Sequence, residues 1–500
     1  MHPASLVAIV LVCLATLSVG SLGLRMSRAT SDFYVAGRAV TPWRNASAIG
    51  GEYLSAASFL GVAGLVYDRG PSMLWFPIGY TVGYLVLLVL VAAPLRRSGA
   101  YTLSDFAELR LESHRIRSAS SLLTIAIGIL YLVPQFQAAG LALRQATGWP
   151  TWAGSVVLAV VVYAGVATGG MRSITLIQAM QYWIKLCAIA IPAFVLLAIW
   201  HRESASTPLA FPAFEAPGAT TGQGLYSTYS TLLALSLGTM GLPHVLVRFY
   251  TNPDGRDARR TTVSVLGLLG IFYLFPPVYA ILGQTYAPTL PAGMRVDSLV
   301  LRLPQLVADD TLATVLGAML AGGAFAAFLS TASGLVISIS GVLDQDVLRP
   351  YLRRLTGDDA FGVTGFRIAA IAAVVVPLVI APLLRPVGLA TLVGLAFAVA
   401  ASTFAPLLVL GVWWPRLTTA GAAAGLAVGV TAAVAAITTA FRAGDTAGWI
   451  GLLLTQPAAW SAPLAFTTMV VVSRLTPERT PAHTTRTLGR LHTPEALLPP

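Results

Sequence analysis

The sequence predicts an all-α polytopic membrane protein of about thirteen transmembrane helices. Three observations carry that prediction. Hydrophobic residues make up 56% of the chain and charged residues only 10%, against roughly 25% charged in soluble domains. Apolar runs recur along all 500 residues, each near the about 20 helical residues that a bilayer takes. The 31 Lys and Arg residues gather in short patches between those runs, as they do in cytoplasmic loops. The net charge of +11 is therefore a membrane signature and not a nucleic-acid footprint. Cys13 and Cys187 both fall inside apolar runs, which offers neither a disulfide framework nor a metal cluster.

Run length and flanking charge place the spans in order at Ala4–Leu24, Ala46–Tyr67, Met73–Leu95, Ser118–Gln145, Thr151–Gly170 and Ile174–Trp200. Seven more follow at Gly224–Val247, Thr262–Gly283, Leu312–Leu343, Gly362–Leu384, Val387–Gly411, Thr418–Phe441 and Trp449–Ser473. The first span has its positive charge after the apolar run, at Arg25 and Arg28, unlike a signal peptide. With the N-terminus outside, about 22 Lys/Arg lie on the cytoplasmic side and about 6 on the outer side. That asymmetry sets the topology and leaves the C-terminus inside. Two longer outer loops, His201–Gln223 and Gln284–Thr311, are rich in Pro, Ala and Thr. The tail from Arg474 has too few apolar residues to fold and is expected to be disordered.

Two spans are interrupted. Ala46–Tyr67 carries Gly50-Gly51-Glu52 at its middle, where a simple anchor would carry leucines. Glycine weakens a helix, and a carboxylate at that depth costs roughly 2.5–3.5 kcal/mol on insertion scales. Unwound backbone there is tolerated only against protein or a watery cavity, so its freed carbonyls are candidates to coordinate a cation. Five spans later, Gly238, Gly241 and Pro243 interrupt Gly224–Val247. Broken helices at corresponding positions of two five-span halves point to a secondary transporter of inverted-repeat build. In the ninth span, Ala327, Ser330, Thr331 and Gly334 share one helix face. Their oxygens suit a small monovalent cation, while helix packing is the plainer reading of the same hydroxyls.

The runs SDFYVAGRAVTPWRNASAIGGEYLSAASFLGVAGL, GLPHVLVRFYTNPDGRDARR and FLSTASG, in this order, resemble the sodium/solute symporter family, and within it the cation–acetate and monocarboxylate symporters. The resemblance covers about Ser31 to Asp346. It implies the five-plus-five inverted-repeat fold named after a bacterial leucine transporter. Residues 1–45 would then form an extra helix and loop, 46–411 the ten-helix core, 412–473 two further helices and 474–500 the tail. It also implies a sodium site in which the carbonyls of Gly51, Leu54 and Ala327 meet the hydroxyls of Ser330 and Thr331. Some members carry a further acid where this chain has Gln178, so one sodium is expected, with proton coupling left open.

Around that site, Tyr53, Ser55, Ser58, Gln135, Gln137, Thr239 and Met240 are candidates to line a substrate cavity beside the breaks. Glu52 reads either as a proton- or cation-linked carboxylate or as a structural acid paired with Lys185, Arg248 or a backbone amide. Lys185, the sole lysine, attracts an anionic substrate, snorkels or pairs with an acid. His244 and Arg248 are expected to hold a cytoplasmic gate or loop. Nothing resembles a nucleophile triad, phosphate loop or metal-ligand cluster, so no enzyme and no organic cofactor is expected. The expected partners are a small carboxylate and the lipid bilayer, with no nucleic acid and no obligate protein. The reading is a sodium-driven symporter of acetate, propionate or pyruvate in the plasma membrane. Its alternatives are a symporter of proline, pantothenate or sugar, and a transporter-like sensor.

Overall fold

The computed structural model describes residues 3–26, 36–203, 221–290, 294–351, 362–384, 387–444 and 448–497. The loop stretches 27–35, 204–220 and 352–361 lie outside the described residues. Among the described residues every regular element is helical. Ten helices are long and apolar enough to cross a bilayer, and two sharply bent pairs raise the spans to twelve. The helix Thr151–Glu203 runs 53 residues, more than twice a bilayer crossing. It turns at Gly170, whose φ of 56° lies in the left-handed region that glycine enters freely. Dividing it there gives the thirteen spans expected from run length.

Both interrupted spans are broken, bent by 67° in the first and 42° in the second. The first break, however, is not at its glycines. The first helix, Pro42–Tyr53, continues through Gly50 and Gly51 and ends at Leu54. The second, Gly222–Gly241, passes Gly238 but ends on Gly241, with Pro243 opening the next segment, where the sequence places the interruption. The glycines serve close approach instead. A Cβ on Gly51 would lie 2.1 Å from the Gln178 carbonyl oxygen, and one on Gly238 would lie 2.5 Å from that of Phe397. Absence of a side chain lets two backbones touch, a small-residue contact typical of membrane helices.

The long helix Asp310–Val342 packs on Thr151–Glu203, His114–Thr147 and Pro3–Met26. Gly222–Gly241 packs on Leu389–Trp413 and Trp75–Leu90, while Pro42–Tyr53 lies between Thr151–Glu203 and Gly255–Phe272. The first break therefore faces the middle of Asp310–Val342, where Ser330 and Thr331 sit fully buried.

Two expectations at the C-terminal end change. The stretch expected as one span, Trp449–Ser473, is a short helix Gly448–Thr455 followed by the spanning helix Ala458–Leu475, parted near Pro457, which has no N–H to continue the first. The tail is not structureless: Thr484–His492 is helical, and its buried Leu491 packs on the protein. Composition alone misses it because its anchors come from elsewhere. Arg110 donates to Gly411 O at 2.8 Å and to Thr484 at 3.3 Å, and Arg97 pairs with Glu495 at 3.2 Å.

If Gly51 serves close packing, Gly51→Ala should destabilise the protein by about 1–3 kcal/mol through overpacking. Gly267→Ala, whose Cβ meets nothing within 4 Å, should be neutral or stabilising by about 0.5–1 kcal/mol. Thermal unfolding of the two detergent-purified variants checks the contrast.

Candidate functional site

At Leu54 the backbone leaves the helix, with ψ of 82°. A helix end strips the preceding carbonyls of their amide partners. The Ala56 amide donates to Gln135 Oε1 at 3.0 Å, and not back to Glu52, so a side chain of His114–Thr147 holds the break open. The bared carbonyls of Gly51, Glu52 and Leu54 find donors on two other helices. Ser330 Oγ donates to Gly51 O at 2.6 Å and lies 3.0 Å from Ala327 O. Thr331 Oγ1 donates to Glu52 O. The five expected ligands, Gly51, Leu54, Ala327, Ser330 and Thr331, thus converge from two helices far apart in sequence.

Lys185 is at the centre of that convergence. Its Nζ donates to Gly51 O, to Leu54 O at 2.7 Å and to Ser330 Oγ at 3.0 Å. It is fully buried and pairs with no carboxylate among the described residues. Snorkelling and an acid partner, two of its expected roles, give way to this one. The nest is made of neutral oxygens, a donor set that fits a hard monovalent cation, and the Lys185 amino group lies in it.

Glu52 pairs with Arg248 instead, Nε to Oε2 at 2.6 Å, with the two side chains 0% and 2% exposed. The same guanidinium donates to Thr175 Oγ1 at 2.8 Å and to Gln178 Oε1. Gln178 Nε2 in turn donates to Ser330 O at 2.7 Å. Arg248 lies after the second break and Glu52 just before the first, so the pair ties the two broken spans together. Of the partners expected for a structural Glu52, the structure selects Arg248, a buried carboxylate inside a membrane protein needing one. His244 is likewise buried, its ring 5.1 Å from that of Tyr131, and neither ring nitrogen has a hydrogen-bond partner among the described residues.

On the other side of the break stands an aromatic cluster. Tyr53 hydrogen-bonds Thr239 Oγ1 at 2.7 Å and packs edge-on against Tyr84 at 4.8 Å and Tyr80 at 5.8 Å. Phe397 closes against Tyr80 and Tyr131, and Ser58 bonds Tyr273 at 2.9 Å. The hydroxyls of Tyr80 and Tyr84 are buried without partners among the described residues. Of the expected cavity residues, Tyr53, Ser58, Gln135 and Thr239 meet here, and Ser55 and Met240 are buried beside the breaks. Gln137 does not join them. Two positions on from Gln135, it faces the other side of its helix, bonds Ala381 O at 2.9 Å and lines a separate cavity of about 880 Å³ with Arg144, Arg295 and Arg302. Sequence reasoning missed Tyr80, Tyr84, Tyr131, Tyr273 and Phe397, whose only signal is aromatic residues on apolar spans.

Removing one partner of a buried ion pair leaves a stranded charge. Arg248→Met should cost about 3–5 kcal/mol of stability, and adding Glu52→Gln should restore part of it. Thermal unfolding of the two variants checks this; a double variant less stable than Arg248→Met would show that the pair is not coupled.

The model of the Sodium:solute symporter family matches residues 33–429. Over 465 residues the chain is 32% identical to "Uncharacterized symporter YwcA" of Bacillus subtilis (strain 168), covering 90% of both. Over 482 residues it is 31% identical to "Monocarboxylic acid transporter" of Corynebacterium glutamicum, covering 89% of this chain and 86% of that relative. In fold it is similar to a Na+-coupled sialic acid symporter solved substrate-bound and outward-open, with TM-score 0.73 and 16% identity over 94% of this chain and 97% of that one. It is also similar to Mhp1, a nucleobase-cation-symport-1 family transporter, with TM-score 0.59 and 14% identity over 93% and 99%. These proteins are transporters and not enzymes, and the helix set described above is that of an integral membrane protein. This chain belongs to the sodium:solute symporter family.

Proposed function

We propose that the chain is a sodium-coupled symporter of a small monocarboxylate, such as acetate, propionate or pyruvate, working by alternating access in the plasma membrane. The observation that carries this reading is the convergence of Gly51, Leu54, Ala327, Ser330 and Thr331 oxygens at the first break. Cation-binding oxygens there span the broken helix and Asp310–Val342, so filling the nest favours one arrangement of the two. The substrate class is supported by the printed name of the Corynebacterium glutamicum relative. It is supported too by the buried, unpartnered hydroxyls of Tyr80 and Tyr84 beside Tyr53, which are donors suited to a carboxylate.

In this mechanism the carbonyls of Gly51 and Leu54 and the hydroxyls of Ser330 and Thr331 hold the ion from the outer side. The Tyr53–Thr239 corner positions the carboxylate between the two breaks. Arg248 and Glu52 keep the breaks together as the protein turns inward. Each charge carried in contributes about 2.3 kcal/mol per 100 mV, enough for about fiftyfold accumulation per sodium. The arginine asymmetry supports an outside N-terminus and a cytoplasmic tail.

Reconstituted vesicles with imposed gradients test the reading. Labelled acetate should enter when sodium is high outside, and propionate or pyruvate should compete where proline, pantothenate and glucose do not. Ser330→Ala with Thr331→Ala should raise the sodium concentration for half-maximal uptake at least about tenfold, a loss of about 1.4 kcal/mol. Absence of carboxylate uptake removes the substrate, and uptake that follows a proton gradient while ignoring sodium removes the ion.

A further inference from the structure

We propose that the Lys185 ammonium is a tethered competitor of sodium: it occupies the nest of Gly51, Leu54 and Ser330, and sodium enters only as that ammonium swings out. This rests on the reading of the nest as the coupling-ion site.

An ammonium has three protons and no acceptor. All three are placed here, on Gly51 O, Leu54 O and Ser330 Oγ. These are oxygens that an ion at the break would need. Ser330 still has its own proton to place, which Gly51 O or Ala327 O accepts. Three of the five oxygens that an ion would use are therefore already engaged by Lys185.

Charge argues the same way. The nest is built of neutral oxygens, and the neighbouring acid, Glu52, is already neutralised by Arg248 at 2.6 Å. Two cations among shared oxygens would repel at short range. The ammonium also spans the elements an ion would span, reaching Leu54 at the break and Ser330 on Asp310–Val342. It closes the seam without any ion. When it leaves, Glu52 Oε1, which lacks a hydrogen-bond partner among the described residues, is a spare acceptor next to Gly51 in the chain.

Direct sodium binding to the detergent-purified full chain tests this with no transported solute present. Lys185→Met keeps the side-chain length and removes the charge. It should bind radiolabelled sodium at least tenfold more tightly than the wild type, and its melting temperature should rise with sodium but not with potassium. Equal or weaker sodium binding by a monodisperse Lys185→Met protein overturns the proposal, as does binding by neither protein. Should that variant not fold, the wild type answers by itself, since Lys185 is the only lysine. Sodium, but not potassium, should speed its modification by an amine-directed reagent, read at that peptide by mass spectrometry; an unchanged or slowed rate overturns the proposal. Failed carboxylate uptake alongside tighter sodium binding in Lys185→Met would refute the proposed substrate and leave this inference standing.

Discussion

Main-chain carbonyls laid bare at Leu54 set the terms for everything around them. In hydrocarbon there is no water to accept the task, and an unpaired polar group costs several kcal/mol. A break at this depth therefore persists only if other helices bring donors to it. Gln135 takes the amide of Ala56, Thr331 takes the carbonyl of Glu52, and Ser330 with Lys185 takes those of Gly51 and Leu54. The acceptor Gln135, the donor Lys185 and the adjacent donors Ser330 and Thr331 come from three different helices. The bend of the first span is thus a property of the assembled core, and it positions both the nest and the aromatic cluster on its two sides.

The charges obey the same requirement. A lone carboxylate or guanidinium inside the membrane is expensive, and Glu52 and Arg248 remove most of that cost by facing one another. A buried pair of this kind is weak evidence for net stability, so its importance here is geometric. It joins the two broken spans, while Thr175 and Gln178 extend the contact to the lysine-bearing helix and to Ser330 O. The nest consequently lies at a seam, with the paired breaks on one side and Asp310–Val342 on the other. An occupant of that seam acts on the relative position of whole helices.

Much of this was legible in the chain. Apolar run lengths marked thirteen crossings because a bilayer imposes one length on every helix. Ser330, Thr331, Gly51 and Leu54 were legible as a set through motif resemblance, and the structure brings them together. The break itself was displaced: Gly50 and Gly51 signal loss of helix, yet close packing on Gln178 and Tyr182 uses the same residues inside a continuous turn. Local propensity does not distinguish those two uses. Gln137 lies two positions from Gln135, on the opposite side of the helix, and the anchors of Thr484–His492, Arg97 and Arg110, lie some 370 to 400 residues away in sequence, so neither placement is local. Lys185 shows the limit most clearly, since a long side chain can reach several partners and only packing selects one.

A free ion and a tethered ammonium meet the same electrostatic need with different consequences. Occupancy by a free ion falls with its concentration, whereas a tethered group is always present at a high effective concentration, of the order of millimolar for a flexible link. An ion that shares its oxygens with such a group binds only in proportion to its advantage over it. That lowers apparent affinity on both faces of the membrane. On the face where the ion is scarce, the returning ammonium takes back Leu54 O and Ser330 Oγ and leaves the carbonyls satisfied, so the break need not wait for another ion. For a transporter, which must let go of its ion as reliably as it takes one up, a weak site with a built-in replacement favours turnover over tight retention.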